Sequence, residues 1–155
     1  MSAPLVFLTG ATGFIGMRLA EQLHTSGARL RCLVRSDAKA AQLRGFDAEI
    51  VSGDVTDRAV LRRAMRGCSL AYHLAAIYDL GVVDARAMER SNVEGTRAFL
   101  DSAGATGIEK AVYVSTTVPL GPPQDGENIE AYDGPYPSVY HRTKAEAHRI
   151  ARAVQ

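Results

Sequence analysis

Cysteine is scarce in this chain, with only Cys32 and Cys68 among 155 residues. Two cysteines build no disulfide framework, and their spacing matches no metal site. Both fall in apolar, strand-like runs and read as buried free thiols of a reducing compartment. An excess of charge of either sign is also missing. Eighteen basic residues against 17 acidic ones leave a net charge of +1, which argues against a nucleic-acid or membrane surface. Arg63 and Arg66 read as the solvated face of one helix. Long apolar runs are absent as well. The first run, Leu5 to Leu8, follows no basic segment, and nothing approaches the roughly 20 residues of a membrane span. No signal peptide, membrane segment or metal site is expected, and the location expected is cytoplasmic. Repeats and low-complexity segments are missing too. What remains is ordinary composition at a length that buries a core, and residues 1–155 read as one domain.

What is present starts with Leu5-Val-Phe-Leu-Thr-Gly10-Ala-Thr-Gly13-Phe-Ile-Gly16. A short apolar strand breaks at Gly10, and a helix opens at Phe14. Three glycines at this spacing have separate tasks. Gly10 permits a tight turn, Gly13 lets the backbone approach a ligand, and Gly16 lets helix and strand pack closely. The N–H groups at the helix start suit a pyrophosphate. A tight turn without a ligand is the plainer alternative.

Beyond this turn, short apolar runs alternate with longer amphipathic ones. Strands are expected at 4–9, 29–35, 48–52, 69–75 and 110–116, and helices at 14–26, 37–44, 57–66, 84–104 and 138–153. Such alternation predicts an α/β fold, a Rossmann-type doubly wound parallel sheet in three αβα layers. The order 3-2-1-4-5 places a ligand crevice beside strand 1. The segment Thr117 to Pro137 holds five prolines and three glycines, so it reads as a loop lining a substrate pocket.

Dinucleotide sites usually present an acid at the end of strand 2, to the ribose 2′-hydroxyl. Here that strand ends on Arg35, whose guanidinium suits a 2′-phosphate and favours NADP over NAD. Asp37 as the ribose ligand, with Arg35 merely solvated, is the alternative. Asp54, after strand 3, is placed to accept from an adenine amino group, and Thr56 or Asp57 to cap the next helix. Strand 4 ends in His73-Leu-Ala-Ala76, small residues at the crevice. His73 reads as packed or hydrogen-bonded and not as a catalyst.

Tyr140 and Lys144 lie four apart at a helix start, on one face. A free phenol titrates near about 10, and a fixed ammonium would favour the phenolate for proton exchange with a hydroxyl–carbonyl pair. An ordinary helix end is the alternative. Strand 5 ends in Ser115, Thr116 and Thr117, one of which could hydrogen-bond the reacting oxygen. Asn92 sits on a buried stripe with Met88, Gly95 and Phe99, where a satisfied structural amide is equally open.

Taken together, these residues resemble the extended short-chain dehydrogenase/reductases, the NAD(P)-dependent epimerase/dehydratase group. Six elements carry the likeness: Thr9 to Gly16, Gly53-Asp54-Val55, His73 to Ala76, Asn92 to Thr96, Val112 to Thr117, and Pro137 to Lys144. The run ending in Arg35 looks like the dihydroflavonol-reductase-like branch. The resemblance implies that Tyr140 is the acid/base and that Lys144 lowers its pKa while holding the ribose. It implies that Thr116, with Ser115 as its rival, is the hydroxyl residue and that Asn92 orders the proton-relay helix. Cofactor contacts are implied for Gly10, Thr12, Gly13, Phe14, Ile15, Gly16, Arg35, Asp54, Val55, Leu74, Ala75 and Ala76, together with Tyr140 and Lys144.

Family members run to about twice this length, so the C-terminal substrate-binding part is expected to be lacking. An exposed sheet edge then predicts association or marginal stability, and the resemblance implies a homodimer through the Asn92 and Tyr140 helices. The expected activity is oxidoreduction or epimerisation at a secondary alcohol or ketone. The substrate would be a small molecule, either a sugar nucleotide or a dihydroflavonol- or steroid-like compound. A non-catalytic NAD(P)-binding module or redox-sensing fragment is the alternative.

Overall fold

The computed structural model describes residues 3–79, 84–121, 132 and 134–155. Strand β1 (Leu5–Thr9) takes the middle of a parallel sheet with β2 (Arg29–Val34), β3 (Glu49–Ser52), β4 (Leu70–His73) and β5 (Lys110–Tyr113). The order is β3-β2-β1-β4-β5, as the alternation predicts. Side chains alternate along β1, so its apolar run feeds two cores. Val6 and Leu8 pack with Leu30, Cys32 and Leu43 beneath helix α1 (Phe14–Thr25). Phe7 points the other way, onto Leu61 and Met65 of α3 (Arg58–Met65) and onto Phe99, whose ring stacks on it at 6.4 Å. Helices therefore cover both faces. The reversal of strand order falls between β1 and β4.

Several elements differ from the sequence expectation. Helix α2 (Asp37–Ala40) is a single turn that tightens into a 3₁₀ segment over Ala41–Phe46. Strands β4 and β5 stop at His73 and Tyr113, so the hydroxyls of Ser115 to Thr117 lie on the loop beyond β5. Cys68 occupies the turn before β4 and not a strand. The helix expected over 84–104 is interrupted. It comprises α4 (Ala85–Glu89), a π turn over Arg90–Glu94 and α5 (Gly95–Thr106). That wider turn is closed by Gly95 N–H on the Arg90 carbonyl, and a Cβ on Gly95 would strike Val55 at 2.6 Å. Helix α6 (Val139–Arg152) closes the described chain, tied to α4 by Arg142–Glu89 at 2.7 Å.

Burial pushes the Cys32 thiol up to about 12 and raises that of Cys68. Both stay protonated and unreactive. Among the described residues, no helix is long and apolar enough to cross a membrane.

Candidate functional site

A cleft opens at the carboxyl ends of β1, β2, β3 and β4. Thr9, Gly10, Thr12 and Gly13 line it from the first turn, Arg35 from the end of β2, Lys39 from α2, and Asp54 and Val55 after β3. Leu74, Ala75 and Ala76 wall the side beyond β4. Gly10 has φ +72°, and a Cβ there would lie 2.6 Å from Ala75 N, so both its conformation and its neighbour require glycine. At Gly16 a Cβ would fall 2.1 Å from the Gly10 carbonyl oxygen, so α1 rests directly on the turn. Gly13 is exposed and forms the N-cap of α1.

The helix starts differ in a telling way. Asp57 caps α3, Asp84 caps α4 and Ser138 caps α6, each accepting from main-chain N–H groups. Helix α1 has no side-chain cap and no acid in its first turn. Its donors and dipole face the cleft uncompensated, the arrangement that an anion would complete. A cradle of glycine backbone that Cβ atoms would fill, beside an uncapped helix start, fits the pyrophosphate of a dinucleotide. Phe14 and Ile15 do not line the cleft; they are 90% and 59% exposed, which leaves only their main chain for that group. Gly16 lies beneath it.

The Oδ1 oxygen of Asp54 accepts from Thr56 N at 2.9 Å and from the Thr56 hydroxyl at 2.7 Å. Its Oδ2 carries no hydrogen bond among the described residues. Burial pushes this carboxyl up, but the two Thr56 bonds, with Arg35 and Arg90 nearby, outweigh it and hold it below its ordinary value. An ionised acceptor thus faces the cleft. Asp37 is not among the lining residues; Lys39 is, and the sequence reading passed over it.

Past Ala76 the chain runs on through Ile77 to Tyr78, whose ring reaches α6. The Tyr78 and Tyr140 rings meet edge to face at 4.8 Å. Burial pushes the Tyr140 phenol above its ordinary value, the hydrogen bond to Thr116 opposes this, and Tyr78 adds to it. Ser115 turns away: its hydroxyl meets His148 Nδ1 at 2.8 Å in a separate cavity lined by Tyr113 and Leu100. Of the two rivals, only Thr116 stands beside the phenol.

Lys144 departs from expectation. It is buried, its Nζ donates to the Val114 carbonyl at 3.0 Å, and it sits 4.7 Å above the Tyr113 ring. The four-residue spacing does share a face with Tyr140, but the long stem carries the ammonium past the phenol to a strand-end carbonyl. It is not among the groups that set the acidity of Tyr140. Burial pushes Lys144 itself down to about 8.

Asn92 is 1% exposed at the π turn. Its Oδ1 accepts from Ile77 N at 2.7 Å, while Nδ2 donates to the Ile77 carbonyl at 3.0 Å and to Thr143 Oγ1 at 3.2 Å. The amide is fully engaged, clamping the segment that carries Tyr78 against α6. Tyr78, 70% exposed, gave no signal in the sequence, since a lone aromatic in a short loop has no periodicity. Much of the 117–137 loop expected to line a substrate pocket falls outside the described residues.

His73 is buried and pushed down to about 3, chiefly by burial, with the Lys144 ammonium adding. An unfolded chain takes up this proton near 6.5 and the native one does not. Stability is therefore complete above pH 6.5 and falls by about 1.4 kcal/mol per pH unit below it. Urea unfolding at pH 5 against pH 7 should show about 2 kcal/mol of loss from this group. His73→Phe should lack that increment; an equal loss in both proteins would refute the assignment.

The profile of the NAD dependent epimerase/dehydratase family matches residues 6–155. A 4-hydroxy-2-methyl-3-oxo-4-farnesyl-3,4-dihydroquinoline-1-oxide ketoreductase from Stigmatella aurantiaca is 32% identical over 150 residues, covering 93% of this chain and 44% of the relative. Sterol demethylase protein B from Methylococcus capsulatus is 33% identical over 141 residues, 89% of this chain and 43% of the relative. The crystal structure of DesIV, a dTDP-glucose 4,6-dehydratase from Streptomyces venezuelae with NAD and TYD bound, superposes with a TM-score of 0.82. It is 27% identical and is matched over 96% of this chain and 51% of that one. The chain thus spans about half the length of these proteins or less. The family match takes in every strand of the sheet, the cleft and the Tyr140 helix, and the chain belongs to the NAD dependent epimerase/dehydratase family.

Proposed function

We propose that this chain carries the cofactor-binding and proton-transfer groups of an NADP(H)-dependent oxidoreductase acting on a secondary alcohol or ketone. The observation that carries the reading is the Tyr140 phenol with Thr116 beside it, joined through Tyr78 to the segment that follows a cleft whose glycine turn fits a pyrophosphate. Tyr140 takes the hydroxyl proton of an alcohol, or returns it to a ketone oxygen. Thr116 hydrogen-bonds the same oxygen and supports charge on it. When bound, the nicotinamide takes or supplies the hydride. Lys144, released from Val114, would hold the ribose hydroxyls.

Exposed Tyr78 against Tyr140 favours a substrate with a flat apolar body over a sugar nucleotide, in keeping with the sterol and farnesyl-quinoline relatives. The homodimer through the helices of Asn92 and Tyr140 belongs to the same proposal, with sedimentation as its check.

Arg35 and Lys39 together offer two cations where a 2′-phosphate would lie. Titration calorimetry should show tighter binding of NADP⁺ than of NAD⁺. Arg35→Ala should weaken NADP⁺ by about 10- to 100-fold, the worth of a hydrogen bond to a charged group, and leave NAD⁺ little changed. Tighter NAD⁺ binding would overturn the NADP reading. A panel of cyclic ketones with NADPH then tests turnover; silence across the panel in a protein that binds the cofactor would refute the catalytic reading for this chain.

A further inference from the structure

His73 is a buried ionisable side chain behind the crevice for which proton transfer at Tyr140 has no use. It lies at the end of β4, 1% exposed, with its ring stacked on Phe99 at 4.7 Å and tilted against Tyr113 at 5.9 Å. Both ring nitrogens are engaged. Nδ1 is 2.7 Å from Thr9 Oγ1, and Nε2 is 3.0 Å from Thr96 Oγ1. The roles follow from the neighbours. The Thr96 hydroxyl donates its one proton to the Asn92 carbonyl at 2.7 Å, so it accepts from Nε2–H. Nδ1 is then bare and accepts from the Thr9 hydroxyl, which in turn accepts from Ala75 N at 3.3 Å.

The bonds form two directed runs that meet at Asn92. Ala75 N–H leads to Thr9, His73, Thr96 and the Asn92 main chain. The Asn92 amide continues to Thr143, whose hydroxyl donates to the Tyr140 carbonyl at 3.1 Å. One end is anchored beside Gly10, since Thr9 precedes it and Ala75 touches it. The other end is the first turn of α6. Between them the chain passes through the π turn, where the Asn92 carbonyl accepts from Thr96 and its amide holds Ile77.

We propose that His73, as the neutral Nε2–H tautomer, is a positioning residue that sets the glycine turn and the Tyr140 helix in a common register. The cofactor end and the proton-transfer end of the cleft are thereby fixed together, although they lie on elements distant in sequence. The Nε2–H tautomer keeps all of these bonds at once, whereas a charged ring would present two donors and leave the Thr9 hydroxyl without its acceptor. Lys144, the ammonium nearest the ring, opposes that charged form, and Tyr113 and Phe99 offer it no counter-charge. The proposal rests on the dinucleotide reading given above.

The test cuts the chain midway, at two residues that do not line the cleft. Thr96→Val removes the Nε2 acceptor without touching the cleft, and His73→Phe keeps the stack on Phe99 while removing both bonds. With each variant held well below its own melting temperature, calorimetry should show NADP⁺ bound roughly five- to thirtyfold more weakly by both. Binding within about twofold of the parent in both variants would overturn the proposal. Long-range ¹H–¹⁵N spectra of the parent should show Nδ1 unprotonated and Nε2 protonated, unchanged from about pH 8 to 5; an Nδ1–H tautomer, or titration in that range, would also overturn it. Should the parent bind neither dinucleotide, the functional reading fails by itself. The coupling is then read from the Ala75 and Thr143 amide resonances. Thr96→Val must move both; movement of neither refutes the linkage.

Discussion

Tyr140→Phe is expected to lower turnover by about 10²- to 10⁴-fold while leaving the dissociation constant for NADP⁺ unchanged. The substitution keeps the ring that meets Tyr78 at 4.8 Å and removes only the hydroxyl beside Thr116. Packing, the π turn and the Asn92 clamp are untouched, so a loss confined to kcat isolates proton transfer from the fold. Stopped-flow loss of reduced-nicotinamide absorbance, alongside calorimetry, separates the two quantities. Turnover surviving in Tyr140→Phe would remove the phenol from its role and leave Thr116 as the nearest hydroxyl. The parent should show a pH dependence of the same origin. Burial and Tyr78 raise the phenol, so the rate of alcohol oxidation climbs with pH until the phenolate forms, and the Phe variant has no such limb.

Gly16→Ala is the second large effect. The added Cβ would meet Gly10 O at 2.1 Å, Ala11 Cα at 2.8 Å and Gly10 C at 2.8 Å. All three are backbone atoms, with no flexible side chain to give way. Helix α1 must lift from β1, and the turn that faces the anion must open. A cost of about 3 kcal/mol or more follows from overpacking at such contacts, a large share of the stability of a domain this size. Urea unfolding should show the midpoint fall, and NADP⁺ binding should be lost even in the fraction that stays folded. A Gly16→Ala variant that binds as the parent does would mean that the helix rides on the turn more loosely than its contacts require.

The sheet was legible because its causes are local. Leu5 to Leu8 is apolar at every position, as only a strand covered on both faces must be, and Gly10, Gly13 and Gly16 mark where it turns into a helix. The order of the strands follows from the alternation and from the handedness of parallel crossovers. What the sequence concealed depends on partners far along the chain. The π turn at Arg90–Glu94 has no pattern of its own; it exists because Asn92 reaches Ile77 while Gly95 closes on Val55. Spacing placed Lys144 on the right face but could not give the direction of its ammonium, which the Val114 carbonyl decides. Thr116 and Ser115 are neighbours of equal chemistry, and only the turn after β5 sends one to Tyr140 and the other to His148. Lys39 and Tyr78 sit on a one-turn helix and a short loop, where periodicity carries no information.

The central place of β1 also dictates an order of assembly. Its pairing with β2 closes through α1 alone, whereas its pairing with β4 joins residues 64 apart, as Thr9 and His73 are. Closing the longer loop costs more chain entropy before any contact rewards it. A chain emerging from its N-terminus therefore completes β3-β2-β1 first, with one edge of β1 unpaired and Phe7 still uncovered by Phe99. That half-built sheet is the species most exposed to pairing with another chain. Docking of β4, with His73 locking onto Thr9, pairs that edge, and α5 and β5 then cover Phe7 and the edge of β4.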